Sequence, residues 1–373
     1  MSYQRLFNAE VSMDDIAKWK STGKKAVGYV CCHVPEELFY AADVMPVHLR
    51  ATNCVDSSDA ETWMSSFSCS FARGILQYLI DGVYALDGIA QSQGCMMQAR
   101  ILDNWIHTEK LKNNKPFQYF IGAPRMNTPI TVKFYRSELR GLADALSSLS
   151  GVRVTDERLK AAIEKSNETR RLIAELYELR AAENPVVTGA EVLSICLAHC
   201  DMVVDDYNAM LKEFLADAKN RKPVEKRARL MVVGSALDNP EYLKVIEEKG
   251  GIVVADYNCF GYRAFGPELV VDDDDVLGSI AKYYMARNTC PRSLDNRPAI
   301  HQEIVELCKK YNVQGVIYQK MQNCECWGGE SYYLEPTLKE IGVPLLQLDR
   351  EEQMANAGQL SIRAEAFIEM LED

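Results

Sequence analysis

Residues 313–349, VQGVIYQKMQNCECWGGESYYLEPTLKEIGVPLLQLD, read as one strand–helix–strand unit. The apolar run GVIYQ (315–319) predicts a buried strand, residues 331–341 a helix, and PLLQLD (344–349) a second strand. Two strands joined through a helix form the crossover that a parallel sheet needs. Cys324 and Cys326 stand where the first strand runs out. In open α/β sheets, ligands collect outside the carboxyl ends of the strands. The unit therefore indicates a fold class and also where chemistry is to be expected.

The same alternation extends outward on both sides. RLMVVGSAL (229–237) and IVVADYNC (252–259) read as strands separated by a helix at 240–249, which Gly250 and Gly251 stop. Helices at 273–286, 297–311 and 359–371 complete that half. Nearer the start, a helix at 13–22 precedes strands at 25–31, 46–50, 87–92 and 117–124, with helices at 35–43, 69–81 and 96–106 between them. Residues 131–220 change character and read as long amphipathic helices at 131–149, 156–182, 188–199 and 202–218, one of them opened by Thr155–Asp156–Glu157. The expected architecture is α/β, with two doubly wound parallel-sheet units of flavodoxin- or Rossmann-like type and a helical segment between them. The expected divisions are an N-terminal α/β domain at 1–130 with Cys69 and Cys95, a helical segment at 131–222, and a C-terminal α/β domain at 223–373 with Cys324.

With 373 residues, 47% hydrophobic and 25% charged, the chain builds a sizeable core, and its net charge of −11 argues against a general nucleic-acid binder. The opening MSYQRLFNAEVSMDD lacks a basic, apolar leader, and no run approaches the ~20 apolar residues of a membrane span. The expected location is the cytoplasm. There, 12 cysteines read as metal-binding or catalytic before they read as disulfides. Cys196, Cys200 and Cys308 lie in apolar helical stretches and read as core. Phosphate-loop, dinucleotide-binding and serine-hydrolase motifs are all missing; Gly23–Lys24–Lys25 has neither the preceding glycine nor the following hydroxyl.

Five cysteines stand at predicted strand ends: Cys31 and Cys32 after KAVGYV, Cys95 after GIAQSQG, Cys259 after IVVADYN, and Cys324. Cys69 opens a helix. Thiols brought from distant segments to such edges point to a shared metal site, and thiolates select iron–sulfur clusters or zinc. No compact ferredoxin run occurs, and the one C-x₃-C pair, Cys196 and Cys200, lies in an apolar helical stretch, so the ligands must converge in space. A helix N-terminus at Cys69, Cys95 and Cys324 is expected to lower the thiol pKa. Of Cys324 and Cys326, one ligates while the other lies beside it, or both are incidental to a loop. His33 reads as a ligand, a proton donor or a loop residue.

Four stretches carry a resemblance: GKKAVGYVCCHVPEELFYAADVMPVHLRA (23–51), FSCSFARGILQYLIDGVYALDGIAQSQGC (67–95), the opening 313–349 unit, and GQLSIRAEAFIEML (358–371). Together the chain resembles the 2-hydroxyacyl-CoA dehydratase / benzoyl-CoA reductase family. The resemblance implies an iron–sulfur subunit of an ATP-activator-dependent enzyme. Such an enzyme dehydrates a 2-hydroxyacyl-CoA by radical chemistry or reduces an aromatic acyl-CoA. It further implies one [4Fe–4S] cluster held by Cys69, Cys95 and Cys324, with Cys326 a fourth cofactor-binding candidate. The implied partners are a homologous second subunit or a second copy, a separate ATP-hydrolysing iron–sulfur activator and the acyl-CoA.

The chain departs from the family pattern in two ways. Relatives often read Cys–Asp where this chain has Cys95–Met96–Met97, and Phe–Cys–Asp–Pro near Cys324–Glu325–Cys326–Trp327. A serine that contacts the thioester in catalytic subunits would fall near Cys31–Cys32, and none is there, which points to a companion subunit. Another branch builds a double-cubane [8Fe–9S] cluster in a homodimer that reduces small molecules, and Cys31, Cys54, Cys290 and Cys326 keep it open. A non-catalytic cluster or zinc scaffold is the third alternative. Arg73 and Arg100 are candidates to steady cluster or phosphate charge and Glu330 to move a proton. Trp327, Tyr332 and Tyr333 are candidates to shield a cluster from water. The low potential calls for few charged neighbours.

Overall fold

The computed structural model describes residues 2–108, 115–225, 228–287, 290–354 and 357–372. Among them, eight strands form two four-stranded sheets. The first contains β1 (Lys25–Val30), β2 (Val44–His48), β3 (Gly88–Ser92) and β4 (Phe117–Ile121) in the order β2-β1-β3-β4. The second contains β5 (Ala228–Gly234), β6 (Gly251–Tyr257), β7 (Gly315–Met321) and β8 (Leu345–Arg350) in the order β6-β5-β7-β8. Every neighbouring pair is parallel, as the helical crossovers require; Gly28, for example, lies opposite Val47 and Ile89. This is the expected α/β architecture with two similar units.

Both sheets share one topology, and it positions the site. The chain leaves the middle of each sheet, adds a strand on one side, then crosses to the other side. The direction therefore reverses between β1 and β3, and again between β5 and β7. Ligands bind at the carboxyl ends of strands at such switch points. The strands that meet there are buried on both faces and read as near-continuous apolar runs, with β5 and β6 wholly buried.

The expected strand at 46–50 is observed at Val44–His48. Pro46 lies within it, which is tolerated because β2 is an edge strand. The helix expected from 273 begins at Val276, where the Asp275 carboxylate accepts the Gly278 N–H at 3.0 Å. The long helices are Pro129–Ser150, Asp156–Ala181, Gly189–Ala198 and Val204–Ala218. Thr155 caps the second of these, as its sequence suggests, and Thr188 with Glu191 forms a capping box on the third.

One apolar cluster runs through both sheets, joining Val47, Leu49 and Ile89 to Leu230, Val253 and Ile317. Helix Val276–Ala286 packs beside Pro129–Ser150 on the first sheet, so Leu277 and Ile280 share a core with Leu139, Leu142 and Val27. Beyond β2, buried Arg50 donates to the Ala9 and Glu10 carbonyls, to Thr52 and to Asp201, while the Ala51 N–H donates to Asp238 at 2.7 Å. This ties the first sheet to the helical segment and to the second half. Among the described residues, no helix is long and apolar enough to cross a membrane.

Candidate metal centre

The two switch points open onto one cavity of about 70 Å³. Eight of the chain's 12 cysteines line it. Cys31 and Cys32 follow β1, Cys95 follows β3, Cys259 follows β6, and Cys324 and Cys326 follow β7. Cys69 is the N-cap of helix Ser70–Asp81, and Cys290 arrives from the segment after helix Val276–Ala286. The cysteine-bearing turns are sharp: Cys31 has φ +83° and Asn323 φ +60°, left-handed conformations uncommon outside glycine. At Gly94 a Cβ would lie 2.4 Å from Gln98 Oε1, at the end of a flexible side chain, and 3.5 Å from Cys31 Sγ.

The thiols form hydrogen-bonded groups of unlike acidity. Cys326 bonds to both Cys95 and Cys290 and is held protonated. Cys290 falls to about 5, first through that bond and then through Arg263 and Arg292. Cys32 falls to about 6, first through its bond to Cys31 and then through Arg263. Cys31, Cys32 and His33 bring their donor atoms within 4.8 Å of one another. Cys95 is lowered first by Cys326, helped by the Gln98 and Met97 N–H groups of its helix. The expected effect of the helix terminus thus operates at Cys95. At Cys69 it does not, because burial outweighs it and raises the thiol, with Cys95 and Cys324 adding to the rise. Cys324 is raised by burial, against a bond with Ser235, and its helix begins only at Glu330. Burial pushes Cys259 up to about 12.

The rest of the wall is apolar, neutral polar (Gln98, Ser235, His48) or cationic. Phe71, Phe260, Met321 and Trp327 face the cavity, and neutral His48, lowered by burial to about 3, lies between the Tyr29 and Phe260 rings. Among the described residues, Arg263 and Arg292 line the cavity and no carboxylate does. Arg263 Nε and Nη1, Arg292 Nε and His33 Nε2 are buried with no protein acceptor or donor among the described residues. Buried guanidinium donors without acceptors are costly, so this wall favours anionic contents, the Cys32 and Cys290 thiolates among them. A thiolate-held iron–sulfur group meets that requirement. The residues present fit an iron–sulfur cofactor.

Several expectations are corrected. Cys54 lies outside the cavity, against Gly74, with its thiol on the Asp56 carbonyl at 3.2 Å. It is not placed to serve as an extra ligand there. Tyr332 and Tyr333 are 77% and 47% exposed and shield nothing, whereas Trp327 is buried in the wall. Arg100 pairs with Asp103 at the surface. Arg73 reaches the Ser66 carbonyl and Glu61 and also acts on Cys69, so its candidate role stands. Glu330 is buried against His301 at 2.8 Å and Arg297 at 3.1 Å. The surroundings are not poor in charge, because Arg263 and Arg292 stand in the wall. No motif marks these arginines in the sequence. Cys259 carries only its strand-end position as a signal. Cys196, Cys200 and Cys308 are buried in the core, as read.

A sequence model of the family described as 2-hydroxyglutaryl-CoA dehydratase, D-component, matches residues 31–371. The chain is 25% identical over 358 residues to the (R)-phenyllactyl-CoA dehydratase beta subunit of Clostridium sporogenes, covering 94% of this chain and 93% of that one. It is 25% identical over 358 residues to a benzoyl-CoA reductase subunit of Thauera aromatica, with 94% and 91% covered. To the (R)-2-hydroxyglutaryl-CoA dehydratase subunit beta of Acidaminococcus fermentans it is 26% identical over 368 residues, with 95% of each covered. With its thiol-lined cavity at the paired switch points and a family match from Cys31 almost to its end, the chain belongs to the 2-hydroxyglutaryl-CoA dehydratase, D-component family.

Proposed function

We propose that this chain is the iron–sulfur subunit of an acyl-CoA dehydratase or reductase, working with a homologous partner subunit or a second copy of itself. The observation that carries this reading is the convergence of thiols from both sheets on one cavity whose buried arginines lack acceptors. Cys69, Cys95 and Cys324 are the proposed cluster ligands, with Cys326 beside them. When bound, a low-potential [4Fe–4S] cluster supplies the single electron that makes the thioester carbonyl able to expel a neighbouring hydroxyl, or that begins reduction of an aromatic ring.

The chain's own residues do the rest. Phe71, Phe260, Met321 and Trp327 exclude water from the cavity. Ser235 holds Cys324 through a hydrogen bond, and the Cys326 thiol keeps its proton between Cys95 and Cys290. The resemblance puts a thioester-contacting serine near Cys31–Cys32, and this chain has none there, which supports the companion role. The chain carries no phosphate loop, so ATP hydrolysis belongs to a separate activator. Twelve free thiols suit a reducing cytoplasm.

One observation favours a second reading. Cys31, Cys32, Cys259 and Cys290 share the cavity with the proposed ligands, more thiols than one cubane uses. A double-cubane [8Fe–9S] cluster in a homodimer uses such a surplus. Iron and sulfide analysis of anaerobically purified protein, with its oligomeric state, separates the two: about four irons and four sulfides per chain supports the cubane, about eight irons and nine sulfides in one bridged cluster per dimer the double cubane. Zinc without sulfide overturns both. Cys69→Ala, Cys95→Ala and Cys324→Ala are each expected to lose most of the iron; full iron content in all three refutes the ligand assignment.

A further inference from the structure

The chain carries a net charge of −11, yet the described residues of the cavity wall include two arginines and no carboxylate. Arg263 and Arg292 are only 5% and 7% exposed. Neither is free to swing out to solvent. The Arg263 guanidinium lies 5.1 Å from the Trp327 ring centre and 5.5 Å from that of Tyr257. Arg292 is tied down by the Ala123 carbonyl at 3.4 Å and the Pro124 carbonyl at 3.1 Å, at the end of β4. These bonds leave Arg263 Nε and Nη1 and Arg292 Nε without acceptors among the described residues.

Arg263 acts on Cys32, Cys259 and Cys290, and Arg292 on Cys31 and Cys290. Arg73, which acts on Cys69, lies 3.6 Å from Glu61. A guanidinium keeps its charge at any pH the protein meets, so these contributions are permanent.

We propose that Arg263 and Arg292 are charge-compensating positioning residues: they stabilise the reduced state of the cavity's metal–thiolate contents and set its potential from beside Cys32, Cys259 and Cys290. The inference rests on the iron–sulfur reading above. One electron enters from an external low-potential one-electron donor, such as an activator protein. The contents then gain one negative charge, and no bond is made or broken. Fixed cations in a water-poor wall lower the energy of that added charge, and hydrogen bonds toward sulfur and burial tune it further.

The test uses the full-length, anaerobically purified and iron-loaded protein. Wild type is compared with Arg263→Gln, Arg292→Gln, Arg263→Lys and the surface control Arg100→Gln. Iron and sulfide are counted first, and the reduction midpoint is then read by titration followed by electron paramagnetic resonance. The glutamine variants are expected to titrate at more negative potential than wild type, Arg263→Lys to recover most of the shift, and Arg100→Gln to show none. If Arg263→Gln fails to fold or load, Arg292→Gln and Arg263→Lys carry the same comparison. Iron lost from Arg263→Gln but kept by Arg263→Lys also supports a charge role. Loaded Arg292→Gln and Arg263→Gln at the wild-type midpoint, or an equal shift in Arg100→Gln, overturn the inference alone. A wild type that takes up no iron overturns the reading beneath it as well.

Discussion

Replacing Arg50 with methionine tests whether the buried lock beyond β2 holds the halves together. The Arg50 side chain is 1% exposed, and that of Asp201 is 3% exposed. The substitution keeps the volume of the stem and removes the bonds to Asp201 at 2.9 Å, to the Glu10 carbonyl at 3.0 Å, to Thr52 at 2.7 Å and to the Ala9 carbonyl. Asp201 then keeps the Ser12 N–H at 3.1 Å against its burial. Breaking a buried ion pair from one side costs about 3–5 kcal/mol. Methionine packing recovers part of the apolar area, so we expect about 4 kcal/mol at neutral pH.

The pH dependence has a definite sign. The Asp201 carboxyl already lies above its ordinary value, because burial outweighs the pull of Arg50. Without Arg50 it rises further. A carboxyl raised in the folded state holds a proton that the unfolded chain releases, so stability falls as pH rises. The penalty should grow by up to about 1.4 kcal/mol per pH unit between the unfolded value near 4 and the new folded one. Urea unfolding of Arg50→Met at pH 5 and 7.5, with Arg50→Met/Asp201→Leu as the companion, measures this. The double variant should be the more stable of the two at pH 7.5. A cost below about 1 kcal/mol, or a penalty that shrinks as pH rises, refutes the account.

Other substitutions probe the frame around the cavity. Gly234, with φ +137°, ends β5 where a Cβ would lie 2.0 Å from the Gln319 carbonyl oxygen. Gly234→Ala should cost about 2–6 kcal/mol and cut soluble yield, and a change under 1 kcal/mol contradicts it. Glu247 accepts the N–H groups of Gly189, Ala190 and Val253 at 2.7, 3.1 and 3.1 Å, joining helix Gly189–Ala198 to β6. Glu247→Leu orphans all three and should cost about 3 kcal/mol or more, while Glu247→Gln, which keeps an acceptor, should cost less than half of that by thermal or urea unfolding. Cys54→Ala should leave iron content unchanged and lower stability by about 1 kcal/mol; lost iron would place Cys54 in the site after all.

The fold class was legible because the sheets are parallel. Strands covered on both faces become unbroken apolar runs such as RLMVVG, and glycines at 250–251 and 342 mark where helices stop. The carboxyl ends of those runs were legible too, and with them Cys31, Cys32, Cys95, Cys259 and Cys324 as a group. Cys290 follows no strand, so position alone left it among several candidates. Arg263 and Arg292 carried no signal at all, since an arginine in a loop reads the same whether it faces solvent or a cavity.

Local sequence thus determined the elements, their order and the edge at which chemistry collects, because hydrophobic period and turn residues act over a few positions. Only the tertiary structure decided that the two switch points face one another, that eight thiols rather than three or four surround one space, and that Cys54 stands apart from them. The electrostatics were decided there as well. At Cys95 the helix terminus and a neighbouring thiol lower the pKa; at Cys69, in the same motif, burial raises it. The reason is physical. Desolvation and charge–charge interactions depend on distances between segments that lie far apart along the chain, and spacing in sequence carries no record of those distances.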